Sequence, residues 1–331
     1  MMRLRIFLPL LVACAAVNGP RADTGDADNI LSGGPAVPPG YSSHDEVMKA
    51  VVSGKVKLVK APETLPETVI AHKDIEYARV GDRSLTLDLY APKHIEKPAP
   101  VLVFIHGGGW QQGNKNDYRV YTIDYASKGY VAATISYRLR QEALFPAAVH
   151  DVKAALRWIR ANADAYGIDP EKIALIGGSA GGHLSLLAGY SDTPELEGET
   201  ANPGTRTRVQ AIINFYGPSD LTTEHARTAP EVTAFLGADF DTSPGLFALA
   251  SPITHITKDD PPTLTFHGTL DELVPVAQAD ALHAKLTELG VPNVYDRIEG
   301  WPHTLDAALE INRHCQGVMD RFLAKHLPLP K

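Results

Sequence analysis

The sequence predicts a doubly wound, mostly parallel α/β sheet with helices on both faces, extending from about residue 71 to residue 331. Apolar runs of strand length recur along this region, and amphipathic helical patterns separate them. Residues 101–105 are apolar throughout, which is typical of a central strand buried on both faces. Because strands that alternate with helices form parallel sheets covered on both sides, one domain accounts for the whole region.

The remaining strands and the helices follow from the same two patterns. Residues 84–90 alternate polar and apolar side chains, as a half-buried strand does. Further strands are predicted at residues 131–137, 172–176, 209–215, 263–266 and 294–298. Helical spacing of apolar side chains predicts one helix through Val149, Val152, Leu156 and Ile159 and another through Leu282, Leu286 and Leu289. Residues 222–256 interrupt the alternation, and we expect them to form a short cap insertion over the site.

The first 22 residues have the layout of a signal peptide. Arg3 and Arg5 precede a short apolar stretch, residues 6–17, which small residues follow. Residues 11–14 also resemble a bacterial lipoprotein signal, which would end before Cys14 and leave this cysteine lipidated. A buried first helix is the alternative. The signal-peptide layout instead predicts an exported protein, periplasmic or secreted, with no transmembrane span. A lipid anchor is expected only if Cys14 is modified.

Residues 23–70 are predicted to be a tether that contributes little to the core. Proline and glycine recur between residues 33 and 40 and break up any regular element. The segment leaves room for one short helix near His44–Val52, before the patterning of the domain begins.

Composition excludes several classes of protein. A formal charge of −8 disfavours nucleic acid as a partner, because binding to phosphates relies on clustered Lys and Arg. Two cysteines, Cys14 and Cys315, are too few for a disulfide scaffold or a thiolate zinc site. Cys315 shares helical spacing with apolar neighbours, so we expect a buried thiol. The sequence has no metal-binding or nucleotide-binding motif, and we expect neither a metal nor another cofactor.

The first chemical motif is Gly-Gly-Ser-Ala-Gly at residues 177–181, between a predicted strand and a predicted helix. A sharp strand-to-helix turn strains the backbone of its central residue, and the residues two positions away must then lack side chains. Such a turn would raise the Ser179 hydroxyl above the sheet as a nucleophile. A glycine-rich phosphate loop is the alternative, but it would need a following Lys-Ser or Lys-Thr pair that the sequence lacks.

The second motif, His-Gly-Gly-Gly-Trp, occupies residues 106–110 directly after the buried strand 101–105. Acyl transfer places negative charge on a carbonyl oxygen, and backbone N–H groups without neighbouring side chains can converge on that oxygen. We expect an oxyanion hole formed by the N–H groups of Gly108, Gly109 and Ala180, the last being the residue after the nucleophile. A loop without function is the alternative.

Together these motifs resemble the α/β-hydrolase fold serine esterases, near the bacterial feruloyl-esterase-like (BD-FAE) and hormone-sensitive-lipase-like branches. The similarity covers roughly residues 72–326 and extends to the segments 136–139, 145–148, 220–221 and 250–252. It implies a catalytic triad in the order Ser, acid, His along the chain. Gly178 stands where relatives of the hormone-sensitive-lipase type often have an acid, and this difference favours the feruloyl-esterase-like branch.

Two carboxylates, Asp271 and Glu272, follow the predicted strand 263–266. The family motif places the triad acid at Asp271, whose role would be to accept the imidazole N–H and stabilise the imidazolium. His267, at the end of the strand, is expected to be a structural hydrogen-bonding residue. Of the histidines beyond Asp271, three lie in helical patterns, whereas His303 lies in a loop after a strand-like run and is the expected general base.

Trp110 and Trp301 are expected to form walls of the substrate pocket, since each stands beside a site residue. The predicted function is that of an exported serine carboxylic-ester hydrolase, or carboxylesterase, which acts through an acyl-enzyme on short-chain, aryl or acetyl esters. Its substrate would be a small molecule or a polysaccharide-linked ester, and a polysaccharide-directed acetyl or feruloyl esterase is the nearest alternative. A serine peptidase of the prolyl-oligopeptidase type and a non-catalytic binding module are the alternatives from other classes.

Overall fold

A computed structural model of the protein describes residues 24–198 and 202–331. The signal peptide expected at residues 1–22 and the lipidation expected at Cys14 lie outside the described residues. Within them, none of the helices combines the length and the apolar character that a bilayer crossing requires.

The described chain forms an eight-stranded sheet in the order β1-β2-β4-β3-β5-β6-β7-β8. The pairs β1–β2 and β2–β4 are antiparallel, and all other neighbouring strands are parallel, so the predicted fold class is confirmed. The strands are β1 (Val69–Val80), β2 (Arg83–Pro92), β3 (Ala99–Ile105), β4 (Val131–Ile135), β5 (Ile168–Gly178), β6 (Ala211–Phe215), β7 (Thr263–Gly268) and β8 (Asn293–Ile298).

Helices cover both faces of this sheet. They are α1 (Thr24–Ser32), α2 (His44–Val52), α3 (Arg119–Ser127), α4 (Ala147–Ala161), α5 (Ala180–Tyr190), α6 (Pro194–Glu197), α7 (Glu224–Thr228), α8 (Pro230–Leu236), α9 (Pro244–Leu249), α10 (Ala277–Glu288) and α11 (Leu309–His326). Alternate residues of β3 enter opposite cores: Val103 belongs to the core that includes α4, α5 and α10, whereas Phe104 belongs to the core that includes α3 and α11. The expected cap, residues 222–256, contains α7, α8 and α9.

Cys315 lies on α11 and is fully buried in the second of these cores, as its spacing predicts. Burial raises the pKa of its thiol well above the ordinary value, so the thiol stays protonated and unreactive.

The structure differs from the predicted tether at residues 23–70. The helix expected at His44–Val52 is present as α2, but α1 precedes it, and α1 contacts β8 and α11 of the domain. Ile30, Val47 and Ala50 are buried, which gives the segment an apolar contact that its prolines and glycines conceal in the sequence. From here on, residues 24–66 are called the N-terminal segment.

His314 anchors the N-terminal segment to α11. Its Nδ1 donates to the carbonyl oxygen of Pro35 at 2.5 Å, and its Nε2 donates to Oδ2 of Asp296 at 2.6 Å. Burial disfavours the charged imidazole, but the hydrogen bonds to Asp296 and Pro35 outweigh it and raise the pKa of His314. Because both partners are acceptors, only the doubly protonated ring can make both bonds.

This anchor predicts a pH-dependent contribution to stability. The folded pKa of His314 exceeds the unfolded one, so its contribution is complete below the unfolded pKa and disappears as pH rises through the folded pKa. We expect the difference in Tm between the wild type and His314→Gln to be larger at about pH 5.5 than at about pH 9. Thermal melts at both pH values measure it, and a difference that grows with pH would contradict this account.

Candidate active site

Ser179 lies in the sharp turn between β5 and α5. Its backbone has φ 55° and ψ −123°, a conformation that side-chain-bearing residues rarely adopt. A Cβ atom on Gly177 would lie 2.3 Å from the carbonyl oxygen of Gly181, and one on Gly181 would lie 2.0 Å from that of Ile105. Only glycine fits at either position, and the sequence motif predicts this restriction.

Three loops bring Ser179, Asp271 and His303 together at the carboxyl edge of the sheet. Nε2 of His303 is 2.9 Å from Oγ of Ser179, and Nδ1 of His303 is 2.6 Å from Oδ2 of Asp271. Since the carboxylate accepts the Nδ1 proton, Nε2 is left free to accept the proton of the serine hydroxyl. Glu272, the rival carboxylate, is exposed to solvent.

The environment of Asp271 favours its ionised form. Its Oδ1 accepts hydrogen bonds from the backbone N–H groups of Leu273 at 3.0 Å and Val274 at 2.8 Å. Burial alone would raise the pKa of Asp271, but hydrogen bonds from His267 and His303 outweigh burial and lower the pKa to about 2. His267 has the structural role expected of it: its Nε2 lies 3.2 Å from Oδ2 of Asp271 and donates to the carbonyl oxygen of Val274 at 2.8 Å.

The expected oxyanion donors Gly108, Gly109 and Ala180 line one cavity with Ser179 and His303. Gly108 has φ +108°, and a Cβ there would lie 2.3 Å from the carbonyl oxygen of Gln112. The Gly108 carbonyl accepts from the N–H groups of Gln111 and Gln112, both at 3.1 Å. Because C=O and N–H point in opposite directions across a trans peptide, this turn directs the N–H of Gly109 away from Gln111 and Gln112.

The cavity at Ser179 has a volume of about 760 Å³. Its lining combines two kinds of residue. Apolar residues come from the cap and from the loop after β7: Ala226, Ala229, Val232, Leu273, Val274 and Pro275. Polar and aromatic residues also line the cavity: Tyr118, Tyr121, Tyr216, Asp306 and Asn312. Among the described residues that line the cavity, three are carboxylates of Asp or Glu and none is Lys or Arg.

The structure separates the two tryptophans that were expected to form pocket walls. Trp110 lines the cavity and stacks on Phe235 with ring centroids 4.4 Å apart. Trp301 does not line it, so the prediction is wrong for this residue. Its ring packs edge-on against Tyr41 at 5.6 Å, and its Nε1 donates to the carbonyl oxygen of Pro38 at 3.4 Å. The N-terminal segment therefore holds this side chain away from Ser179.

Tyr216 and Asp306 are site residues that the sequence did not reveal. The Tyr216 ring lies 4.6 Å from the ring of His303, and its hydroxyl donates to Oδ1 of Asp306. Tyr121 donates to the other carboxylate oxygen at 3.0 Å, and burial raises the pKa of Asp306. Asp306 follows His303 by three residues, but nothing in that spacing distinguishes it from a surface carboxylate.

Gly178, the residue before Ser179, lies against the hydroxyl groups of two tyrosines, Tyr118 and Tyr216. A Cβ atom on Gly178 would lie 2.7 Å from the hydroxyl oxygen of Tyr118 and 3.1 Å from that of Tyr216. A carboxylate side chain has no room at this position unless both rings move.

Comparisons with known proteins show the family of this chain. A sequence profile of the BD-FAE family matches residues 87–286. Esterase LipC of Mycobacterium tuberculosis is 36% identical over 267 residues, which cover 74% of this chain and 64% of LipC. The chain belongs to the BD-FAE family. A carboxylic ester hydrolase described as probable, LipM of the same organism, is 35% identical over 266 residues, covering 76% of this chain and 60% of LipM. The chain therefore spans less than two thirds of these relatives.

Solved structures resemble this BD-FAE family member over most of its length. A truncated carbohydrate esterase from gut microbiota superposes with a TM-score of 0.68 at 27% identity, covering 80% of this chain and 100% of that one. Esterase Est2 of Thermogutta terrifontis, solved with propionate bound, has a TM-score of 0.68 at 28% identity, covering 80% of this chain and 98% of Est2. These likenesses agree with the observed α/β-hydrolase fold.

The two neighbouring carboxylates allow a test of the contact between Asp271 and His303. Asp271→Asn should slow the modification of Ser179 by a fluorophosphonate at least ~10²-fold, because the amide favours the wrong imidazole tautomer. Glu272→Gln is the matched control and should react at the wild-type rate, since Glu272 is exposed. Mass spectrometry of the labelled protein over time gives both rates. Equal rates for the two variants would mean that Asp271 does not orient His303.

Proposed function

We propose that this chain is a serine carboxylic-ester hydrolase that works through an acyl-enzyme intermediate. The observation that carries the proposal is the chain of hydrogen bonds from Ser179 through His303 to Asp271, at 2.9 Å and 2.6 Å, beside the glycine loop at residues 107–109. Its relatives LipC and LipM are described as an esterase and as a probable carboxylic ester hydrolase, and these descriptions support an ester substrate. Export belongs to the same proposal and rests on the layout of residues 1–22 alone.

The proposed reaction begins when Oγ of Ser179 attacks the ester carbonyl carbon and Nε2 of His303 takes the hydroxyl proton. The N–H groups of Gly108, Gly109 and Ala180 stabilise the oxyanion of the tetrahedral intermediate. Ionised Asp271 stabilises the imidazolium. The bond to the alcohol oxygen then breaks, and His303 returns the proton to the departing alkoxide, which leaves as the alcohol.

The acyl group is now bound to Oγ of Ser179, and water completes the reaction. His303 takes a proton from a water molecule, whose oxygen attacks the acyl carbon through a second oxyanion in the same hole. The bond to Oγ breaks and the proton passes to Ser179, so the carboxylic acid leaves and the enzyme is restored. Water is the only co-reactant.

A short acyl group fits the site best. Trp110, stacked on Phe235, and the cap residue Val232 limit the cavity on its apolar side. Est2 structures described as propionate-bound and butyrate-bound show that one neighbour holds short carboxylates. We propose the same preference here.

A polysaccharide-linked ester is the second candidate. Tyr118, Asn312 and Asp306, which carry hydroxyl, amide and carboxylate groups, line the cavity, and such groups suit an alcohol with several hydroxyls. Two structural neighbours are described as a carbohydrate esterase and as a bifunctional GH43-CE protein, which supports this candidate.

The direct test of the function is the substitution Ser179→Ala. The variant should fold as the wild type does and lose ester hydrolysis by at least ~10³-fold, because the nucleophile and its base act as a unit. Steady-state rates with nitrophenyl acetate and circular dichroism measure the two properties. A folded variant that retains the wild-type rate would refute the serine mechanism, and an inactive wild type would refute the ester substrate.

The acyl preference is tested with a chain-length series. Esters of acetyl to butyryl length should give a higher kcat/KM than acyl chains of about twelve carbons or more, in graded steps, because one methylene changes binding by only ~1–3 kcal/mol. Trp110→Ala should move the maximum toward longer chains. Trp158→Ala, which removes a tryptophan of α4 outside the cavity, is the matched control. A wild-type maximum at long chains would identify a lipase instead.

A further inference from the structure

The N-terminal segment contacts the loop that carries His303, although it lies outside the residues that the BD-FAE profile matches. On the side before His303, the backbone N–H of Tyr41 donates to the carbonyl oxygen of Gly300 at 2.9 Å. The contact of Tyr41 with Trp301 and the hydrogen bond from Trp301 to Pro38 lie beside it. The segment therefore holds the residues that lead into His303.

A second set of contacts with the N-terminal segment holds the residues that follow His303. The N–H of Val59 donates to the carbonyl oxygen of Ala307 at 2.9 Å, and the N–H of Leu309 donates to that of Lys57 at 2.8 Å. Residues 58 and 308 thus form an antiparallel bridge. Because the two sets of contacts flank His303, the loop cannot shift without breaking backbone hydrogen bonds on at least one side.

In the first set of contacts, before His303, the backbones of the two segments approach each other closely. A Cβ atom on Gly40 would lie 2.1 Å from the carbonyl oxygen of Glu299, and one on Gly300 would lie 2.5 Å from the backbone nitrogen of Tyr41. Two prolines, at positions 38 and 39, precede Gly40 and restrict the backbone, so the segment loses little conformational entropy when it docks.

The loop has restraints on its other side as well. The N–H of Gly300 donates to the hydroxyl of Thr269 at 2.8 Å, and the N–H of Leu270 donates to the carbonyl oxygen of Trp301 at 2.9 Å. The loop after β7, which also carries Asp271, therefore lies on one side of the His303 loop, and the N-terminal segment lies on the other. His303 is fixed between these two layers.

The segment also reaches the cavity itself. Val59 lines it together with His303, Thr304 and Ala307. Because Val59 lines the cavity, a larger side chain at residue 59 would narrow it.

We infer that residues 38–59 form a clasp that positions His303 against Ser179 and supplies a wall of the substrate cavity through Val59. This inference rests on the proposed ester hydrolase function. The clasp residues are positioning residues, since they act on the reaction through the loop that carries His303. A displacement of about 1 Å in a reacting group can cost about 10²-fold in rate, which sets the scale of the expected effect.

The first experiment compares Gly40→Ala with Gly245→Ala in the full chain. The added methyl meets the Glu299 carbonyl in the first variant, whereas nothing lies within 4 Å of it in the second. With nitrophenyl acetate, and with rates divided by the Ser179 titrated with a fluorophosphonate, we expect kcat of Gly40→Ala to fall about 10- to 100-fold. Its KM should stay within about threefold, and Gly245→Ala should match the wild type.

Dividing by titrated serine removes the effect of any unfolded protein, so a loss of stability alone would leave kcat unchanged. Gly40→Ala with the wild-type kcat would overturn the positioning role. If the wild type hydrolyses no ester, the proposed function fails. The positioning role of the clasp is then tested by the rate at which the fluorophosphonate modifies Ser179. This rate should be lower in Gly40→Ala than in Gly245→Ala.

A second pair of variants tests the wall and remains available if Gly40→Ala does not fold. Val59→Phe should raise KM for bulky esters relative to nitrophenyl acetate by about fivefold or more, since the ring narrows the cavity. Val52→Phe is the matched control, because Val52 is 85% exposed on α2 and outside the cavity. Equal selectivity in the two variants would show that the segment forms no part of the cavity wall.

Discussion

The arrangement of the site depends on the contact between the turn at Ser179 and the end of β3. Gly181 approaches the carbonyl oxygen of Ile105 so closely that no side chain fits between them. The contact keeps Ser179 in its strained conformation, which costs about 1–3 kcal/mol and which the buried packing of β5 and α5 offsets. Because only His106 separates Ile105 from the glycine loop, the same contact places the proposed oxyanion donors beside the serine.

Backbone hydrogen bonds extend this constraint across the sheet. The N–H of Ser179 donates to the carbonyl oxygen of Phe215 at 2.9 Å, and the N–H of Tyr216 donates to that of Phe266 at 2.8 Å. The ends of β3, β5, β6 and β7 are therefore linked in one row. The strand ends carry the proposed nucleophile, oxyanion donors and acid, and the proposed clasp completes the row by holding the loop after β8 that carries His303.

Two carboxylates near His303 differ because their partners differ. Asp271 accepts hydrogen bonds from two histidines, which hold its pKa at about 2, whereas Asp306 accepts hydrogen bonds from two tyrosines in a site where burial raises its pKa. Asp271 therefore provides the negative charge that an imidazolium requires, and Asp306 fixes the Tyr216 ring that packs against His303.

Features set by local sequence could be predicted, and features set by distant packing could not. The strands other than β1, the helix α2 and the turn at Ser179 follow from periodicity and from glycine spacing, and the loops at Asp271 and His303 follow from their places after strands. Strand β1 was not predicted, because most of its side chains are exposed or half-buried and show no regular alternation. Trp301 was misplaced because its partner, Tyr41, is 260 positions away in a segment without a core pattern. The clasp could not be predicted for the same reason, since its residues are far in sequence from the His303 loop. The contact between Tyr216 and Asp306 could not be predicted either, because it depends on the tertiary fold and not on residue spacing.

The central claim is that Ser179 carries the acyl group during turnover. Acid quenching of the wild type during hydrolysis of nitrophenyl butyrate, followed by peptide mapping with mass spectrometry, tests it most directly. We predict a butyryl adduct on the peptide that contains Ser179, formed together with release of one nitrophenol per adduct. Turnover that leaves the butyryl group on another residue, or that proceeds with no adduct when low pH slows deacylation, would contradict the account.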